Sequence, residues 1–318
     1  MIRPEGESPV MPTVAVVGAG LIGRSWAVVF ARSGFDVRLT DIHPAALDVA
    51  PGHIAEALRQ LEAHGLVADI PAILARIRTC PTLSEAVAGV DLVQENGPET
   101  VEAKRALFAD LDALCGPDTI LASSTSAIVA SLFTEGLAGR ARCLVGHPVN
   151  PPHLVPVVEL CGAPWTDPGV IARARALYEA AGQAPVTVNR EVEGFVLNRL
   201  QGALLSEAFR LVAEGVVSPA DLDRTVAEGL GLRWSFLGPF ATIDLNAPGG
   251  VADYAARYGG FYGRLAADPA PAAVWSPESV ARINAAWDGG PDPAPPAERS
   301  RRRDARLAAL MAHKRAQS

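Results

Sequence analysis

The chain has 318 residues, 49% of them hydrophobic and 20% charged, which supplies apolar material for two packed domains and is unlike a disordered chain. A net charge of −7 argues against a nucleic-acid partner, whose binding rests on cationic contacts to phosphate. No apolar run approaches the ~18 residues of a membrane span, and the opening MIRPEGESPVMPTVAVV lacks the ordered regions of a signal peptide. A soluble, cytoplasmic protein without membrane or nucleic-acid partners is expected. Cys80, Cys115, Cys143 and Cys161 are widely spaced with no C-x-x-C, so reduced, buried thiols are expected rather than zinc or a disulfide scaffold.

Residues 1–10 read as a loose leader ahead of Met11. TVAVV, from Thr13, is a short β-type run; a glycine cluster follows, then a helix over 24–32 closed by Gly34, and DVRLT as a second strand running to Asp41. A helix is expected over 45–64, with Pro51 delaying or breaking its start. Strands are expected at 77–80, 91–95, 119–124, 143–147 and 185–188, with a helix over 99–114 and a small one near 129–134. Such alternation implies parallel β-α-β units and a sheet covered on both faces. Residues 195–214 then read as a long, strongly apolar helix, central in a bundle, at a subunit interface, or both. Helical segments run to the end, interrupted by a Pro/Gly/Asp stretch at 288–297 and closed by an Arg-rich helix from about Glu298. Its cluster of Arg299 and Arg301 to Arg303 is flanked by Glu298 and Asp304, as on a solvated face. The expected fold is α/β: a Rossmann-type, doubly wound, mainly parallel sheet over 11–190, followed by an all-α domain over 191–318.

Gly18-Ala19-Gly20-Leu21-Ile22-Gly23 is G-x-G-x-x-G between an expected strand and helix. In that setting Gly18 permits the tight turn, Gly20 admits a pyrophosphate to the backbone, and Gly23 lets helix and strand pack closely. Asp41 follows Gly23 by 18 residues at a strand end, placed to accept hydrogen bonds from ribose hydroxyls and to repel a 2′-phosphate. No arginine follows in Ile42-His43-Pro44-Ala45, so NAD is favoured over NADP.

In Gly146-His147-Pro148-Val149-Asn150-Pro151-Pro152-His153-Leu154-Val155-Pro156-Val157-Val158-Glu159, a histidine at a strand end is followed by a proline-laden loop and a return to a carboxylate. Such a reversal can set Glu159 beside His147, where it fixes the tautomer and supports an imidazolium. Oxidation of a secondary alcohol by hydride removal needs such a base. A turn histidine with a purely structural role is the competing reading. A metal held by His147, His153 and Glu159 is disfavoured, because no helical H-x-x-x-H pattern exists.

VAVVGAGLIGRSWAVVFARSGFDVRLTDI, SSTSA, GHPVNPPHLVPVVEL, EGFVLNRLQGALLSEAFRLV and EGLGLRWSFLGPFATIDLNAPGG together resemble the 3-hydroxyacyl-CoA dehydrogenase superfamily, and within it the lambda-crystallin / L-gulonate 3-dehydrogenase branch. The resemblance implies that His147 is the acid/base and Glu159 its partner. It implies that Ser124 and Asn198 hold the substrate oxygen and cofactor in place, and that Glu99 and Lys104 serve the nicotinamide half of NAD. Lys104 is one of only two lysines among 28 basic residues. The resemblance also implies a homodimer formed through the helical domain.

Acyl-CoA users of the family carry a lysine-rich hairpin after the second strand. Over 45–78 this chain has Arg59, Arg76 and Arg78 against Asp48, Glu56, Glu62 and Asp69, a poor surface for a polyanionic carrier. Arg233, in GLGLRW, is either a surface arginine or a bidentate grip for a substrate carboxylate. Asn150 and Asn246 are further polar candidates for the substrate site. A small free 3-hydroxy acid of the L-gulonate kind is therefore the expected substrate. A 3-hydroxyacyl-CoA thioester, or an NAD(H)-binding crystallin-like structural role, are the alternatives.

Overall fold

A computed structural model of the chain describes residues 11–287 and 292–317. The expected leader at 1–10 and residues 288–291 of the Pro/Gly/Asp stretch lie outside the described residues. The strands are β1 (Thr13–Val17), β2 (Asp36–Thr40), β3 (Ile77–Thr79), β4 (Leu92–Glu95), β5 (Ile120–Ser123), β6 (Cys143–Pro148), β7 (Val157–Gly162) and β8 (Ala184–Val188). They form one sheet in the order β3-β2-β1-β4-β5-β6-β7-β8. Pairings from β3 through β6 are parallel, β7 runs antiparallel to β6, and β8 is parallel to β7. The expected doubly wound, mainly parallel sheet and the helical region after it are both present. Strand order reverses between β1 and β4, where a crevice opens at the carboxyl ends of the strands.

The strands read as nearly continuous apolar runs because each face packs on its own core. Val14 and Val16 of β1 enter one core with Leu92, Ile120, Leu144 and Leu160. Ala15 and Val17, one residue out of phase, enter the other with Val93, Leu121, Val145 and Cys161. Trp26 and Phe30 of the Leu21–Arg32 helix stack at 5.3 Å and fill the first core beside Tyr178. Phe108 and Phe133 meet edge-on at 4.7 Å in the second. Pro51, expected to delay or break the following helix, lies inside Pro44–Glu62. Pro44 starts that helix at its first turn, and Ala50, Ile54, Leu58 and Leu61 bury one stripe on both sides of Pro51, so tertiary packing overrides the missing hydrogen bond.

The described residues divide into two compact units, one of residues 11–198 with 302–317 and one of those between 199 and 301. The closing Pro296–Arg315 helix, expected to lie wholly within the helical domain, is therefore shared. Ala308 is buried in the first core with Leu307, Met311 and Ala312 packed around it, and Arg315 donates to the Leu66 carbonyl at 3.2 Å. The apolar helix expected over 195–214 spans Leu197–Ala213, with Ala208 as its buried side chain. No described helix is long and apolar enough to cross a membrane.

His153 is buried in the first unit, and its Nδ1 has no hydrogen-bond partner. Burial, with the charges of Arg32 and Arg303, lowers its pKa from 6.5 to about 4. The unfolded chain therefore binds this proton more readily, and the group's contribution to stability is complete above pH 6.5 and lost as pH falls towards 4. That contribution is about 3 kcal/mol. Urea unfolding of His153→Leu should fall less steeply over this window than the wild type. Parallel curves would show that His153 does not drive the acid loss.

Candidate active site

At the crevice between β1 and β4, Gly18 adopts φ +97° and its amide donates to the Thr40 carbonyl at 2.8 Å. A Cβ on Gly18 would stand 2.7 Å from the Asn96 carbonyl oxygen, and one on Gly23 would stand 1.8 Å from that of Gly18. Gly20 has no atom within 4 Å of its Cβ position, so its backbone is approachable from outside. Leu21 and Ile22 open the helix behind it, and no side chain caps that helix, which leaves its first-turn amides to an anionic ligand. Asp41 Oδ2 accepts from the Ala19 amide at 2.7 Å and Oδ1 from the His43 amide at 2.8 Å. Each oxygen keeps a further lone pair for a ribose hydroxyl. Bare helix terminus, open glycine and strand-end carboxylate together fit NAD.

β4 ends in Gln94 and Glu95, which point to opposite faces of the sheet, and Asn96 follows directly. Glu95 is fully buried and meets Lys104 Nζ at 3.1 and 3.2 Å; it also accepts from Ser123 Oγ and the Gly97 amide, each at 2.5 Å. Lys104 is 2% exposed and reaches Glu99 Oε2 at 3.4 Å. Glu99 Oε1 accepts from Thr125 Oγ1 at 2.6 Å and from the amides of Ser126 and Ala127 at 2.7 and 3.3 Å. Burial alone would raise the Glu99 pKa; the Thr125 hydroxyl, the Lys104 charge and those two amides bring it below its usual range. The ammonium of Lys104 thus sits behind Glu99, and Glu99 holds the 125–127 loop.

His147 and Glu159 face each other across the antiparallel β6–β7 pair, with Nδ1 2.8 Å from Oε2. Both are buried. Glu159 Oε1 accepts from the amides of Val196 and Leu197 at 2.8 and 3.0 Å. These amides converge because Gly194 and Phe195 both adopt left-handed backbone, at φ 76° and 50°. Left-handed φ is costly for phenylalanine, and its fully buried ring, 5.6 Å from the imidazole, offsets that cost. Burial alone would raise the Glu159 pKa, yet the His147 hydrogen bond, the two amides and the imidazole charge lower it. An ionised Glu159 keeps a proton on Nδ1 and leaves a lone pair on Nε2 of neutral His147.

Ser124 lies at the end of β5, with Oγ 2.7 Å from both Gln94 Nε2 and Asn96 Oδ1 and 3.0 Å from Trp26 Nε1. Asn198 Nδ2 donates to the Ser126 carbonyl at 2.7 Å, on the loop that Glu99 holds. Asn150 is exposed and forms a cis bond to Pro151. Arg233 and Asn246 belong to the unit over 199–301. Arg233 is exposed and its charge acts on Tyr254, while Asn246 is the C-cap of the Pro239–Leu245 helix. Among the described residues no group of His, Cys, Asp and Glu is arranged to hold a metal ion.

Sequence reasoning missed Gln94, Glu95, Asn96, Trp26 and Tyr178. One signal was available: three consecutive polar residues span the end of an otherwise apolar strand at the crevice. The buried Lys104 gives a test. Lys104→Met leaves Glu95 as a buried carboxylate without its cation and should cost about 3–5 kcal/mol in urea unfolding. Adding Glu95→Gln should restore most of the loss. Unchanged stability in the single variant would remove the ion pair from the account.

The NAD-binding domain of 3-hydroxyacyl-CoA dehydrogenases matches residues 13–192, and the C-terminal domain of the same enzymes matches residues 194–274. Lambda-crystallin of Oryctolagus cuniculus is 46% identical over 254 residues, 79% of each chain. The L-carnitine dehydrogenase of Streptomyces griseus is 41% identical over 77% of this chain and 73% of its own. Among solved structures, FHMPC 5-dehydrogenase, an NAD+ dependent dismutase, superposes with a TM-score of 0.83 at 31% identity, covering 95% of this chain and 98% of that one. With the sheet, the glycine loop and both matched domains in place, the chain belongs to the 3-hydroxyacyl-CoA dehydrogenase family and is an NAD-dependent dehydrogenase acting on a CH–OH group.

Proposed function

We propose that this dehydrogenase oxidises the C3 hydroxyl of a small, polar, free 3-hydroxycarboxylate of the L-gulonate kind to the 3-keto acid. The observation that carries the reading is the buried Glu159 clamped on His147 Nδ1, which readies Nε2 as a base in a unit that binds NAD. NAD, held by the glycine loop and Asp41, would supply the acceptor for the C3 hydride. His147 Nε2 takes the hydroxyl proton, and Glu159 stabilises the imidazolium that forms. Ser124 and Asn198 orient the oxygen, Asn198 from the start of the Leu197–Ala213 helix, where its amide is tied to the Ser126 carbonyl of the loop that Glu99 and, behind it, Lys104 brace. Asn150, Arg233 and Asn246 are proposed to meet the rest of the substrate, Arg233 by gripping its carboxylate.

A free acid is favoured over a CoA thioester by charge. Of the three arginines over 45–78, Arg59 is paired with Glu56 at 2.6 Å and Arg76 lies 3.6 Å from Asp36, so little cationic surface remains there for a polyanionic carrier. L-carnitine, named in the relatives, is likewise a free 3-hydroxy acid. All four cysteines are buried and unpaired, an arrangement compatible with a cytoplasmic setting. The helical unit leaves Phe240 74%, Leu245 73% and Leu200 65% exposed, and a second copy of the chain is the proposed cover.

Nicotinamide absorbance with L-gulonate and NAD, run beside acetoacetyl-CoA and NADH, tests the substrate. Turnover of the free acid is expected. Turnover of the thioester alone would move the chain to acyl-CoA chemistry, and silence in both alongside tight NADH binding would favour a structural role. His147→Gln should lower turnover roughly 100-fold or more while leaving NADH binding intact. Loss of NADH binding would mean that the histidine serves the fold instead. Light scattering should report a dimer at micromolar concentration, and a monomer would refute the proposed cover.

A further inference from the structure

The proposed reaction asks Ser124 to serve an oxygen of the substrate, and the role inferred for its neighbours rests on that reading. A serine hydroxyl has one hydrogen and two lone pairs. The Trp26 Nε1–H donates to Ser124 Oγ at 3.0 Å and the Gln94 Nε2–H at 2.7 Å, which fills both lone pairs. The hydroxyl hydrogen goes to Asn96 Oδ1 at 2.7 Å.

Neither amide can be turned round without loss. Asn96 Nδ2 donates to the main-chain oxygens of Gln94 and Val17 at 2.8 and 3.2 Å, so its oxygen must face Ser124. Gln94 Oε1 accepts the Tyr178 hydroxyl, and Nε2 also reaches the Gly146 carbonyl at 3.3 Å, so its nitrogen must face Ser124. Tyr178 and Gln94 are fully buried. Burial pushes the Tyr178 phenol far above its ordinary range, so Tyr178 remains a donor. Gly146, directly before His147, makes room for this arrangement: a Cβ there would stand 2.5 Å from Tyr178 Oη.

We propose that Gln94, held in orientation by Tyr178, is a positioning residue that turns Ser124 into a donor-only hydroxyl. Ser124 can transfer its hydrogen bond from Asn96 Oδ1 to a substrate oxygen, but it has no lone pair with which to receive a substrate proton. The hydroxyl proton therefore has one destination, His147 Nε2. As that O–H bond breaks and the oxygen gains negative charge, the Ser124 hydrogen swings to it while the Ser124 O–H bond stays intact. Two incoming N–H groups polarise the hydroxyl and strengthen it as a donor. The interaction thus strengthens as the oxygen gains charge, and is stronger in the transition state than with the protonated alcohol.

The test is a double-mutant cycle of Tyr178→Phe and Ser124→Ala, read with whichever of L-gulonate and acetoacetyl-CoA the enzyme turns over. Tyr178→Phe frees the Gln94 amide to reverse and should lower kcat roughly 5- to 20-fold, with KM and the NADH dissociation constant changed less than about twofold. On the Ser124→Ala background it should have no further effect. Full kcat in Tyr178→Phe, or an equal loss on both backgrounds, overturns the proposal. Should Tyr178→Phe fail to fold, Trp26→Phe removes the other N–H donor and carries the same expectations. Should wild type turn over neither substrate, the function reading fails, and the Trp26 indole ¹H–¹⁵N resonance then decides the network by itself. A shift of that resonance in Tyr178→Phe supports the coupling, and an unmoved resonance overturns it.

Discussion

A carboxylate removed from water must be met by hydrogen bonds and opposite charge, or it will not stay ionised. Glu159 is 2% exposed and meets this demand with the His147 imidazole and two consecutive amides. Its partners come from β6, from across the antiparallel pair, and from the turn at 194–197 where the chain leaves the sheet. A slip of one residue between β6 and β7 would put Glu159 on the other face, away from His147. The left-handed backbone at Gly194 and Phe195 answers to the same carboxylate, since it aims both amides at one oxygen.

The second buried carboxylate, Glu95, has a comparable role in a neighbouring layer. Residues alternate between the faces of a strand, so Gln94 and Glu95 at the end of β4 serve different networks. Gln94 joins Tyr178 and Trp26 in the core containing Val14 and Val16, and Glu95 joins Lys104 and Ser123 on the opposite side. Asn96 then turns back to Ser124 and to the Val17 carbonyl. Three neighbouring residues thus tie the glycine loop, the β5 end and the loop held by Glu99 to the same crevice.

Much of this was legible from residue order. Strand, glycine turn, helix, strand and Asp41 follow one another in a single stretch from Thr13 to Asp41. The reversal from His147 to Glu159 was also readable, because a proline-laden loop between two apolar runs permits little else. The partners of Ser124 were not readable. Trp26 lies 98 residues from it, and Tyr178 reaches it only through Gln94, so no spacing rule connects them. Lys104 was singled out by its rarity, but its burial was not foreseen. A lysine four residues into a helix is usually solvated, and the carboxylate that draws it inward lies on a different element. Pro51 misled because local propensity was weighed without the buried stripe that holds its helix together.

The return of residues 302–317 to the first unit bears on the order in which this protein is made. Ribosomal synthesis releases the chain from its N-terminus, and domains generally fold as they emerge. Here the sheet is complete by Val188, yet Ala308 and the apolar side chains around it fill the first core only after the whole of 199–301 has been synthesised. Until then the patch they cover, including the Leu66 carbonyl that Arg315 later caps, stays open to water and to other chains. The nucleotide-binding half is the first to take shape on the ribosome and the last to be closed.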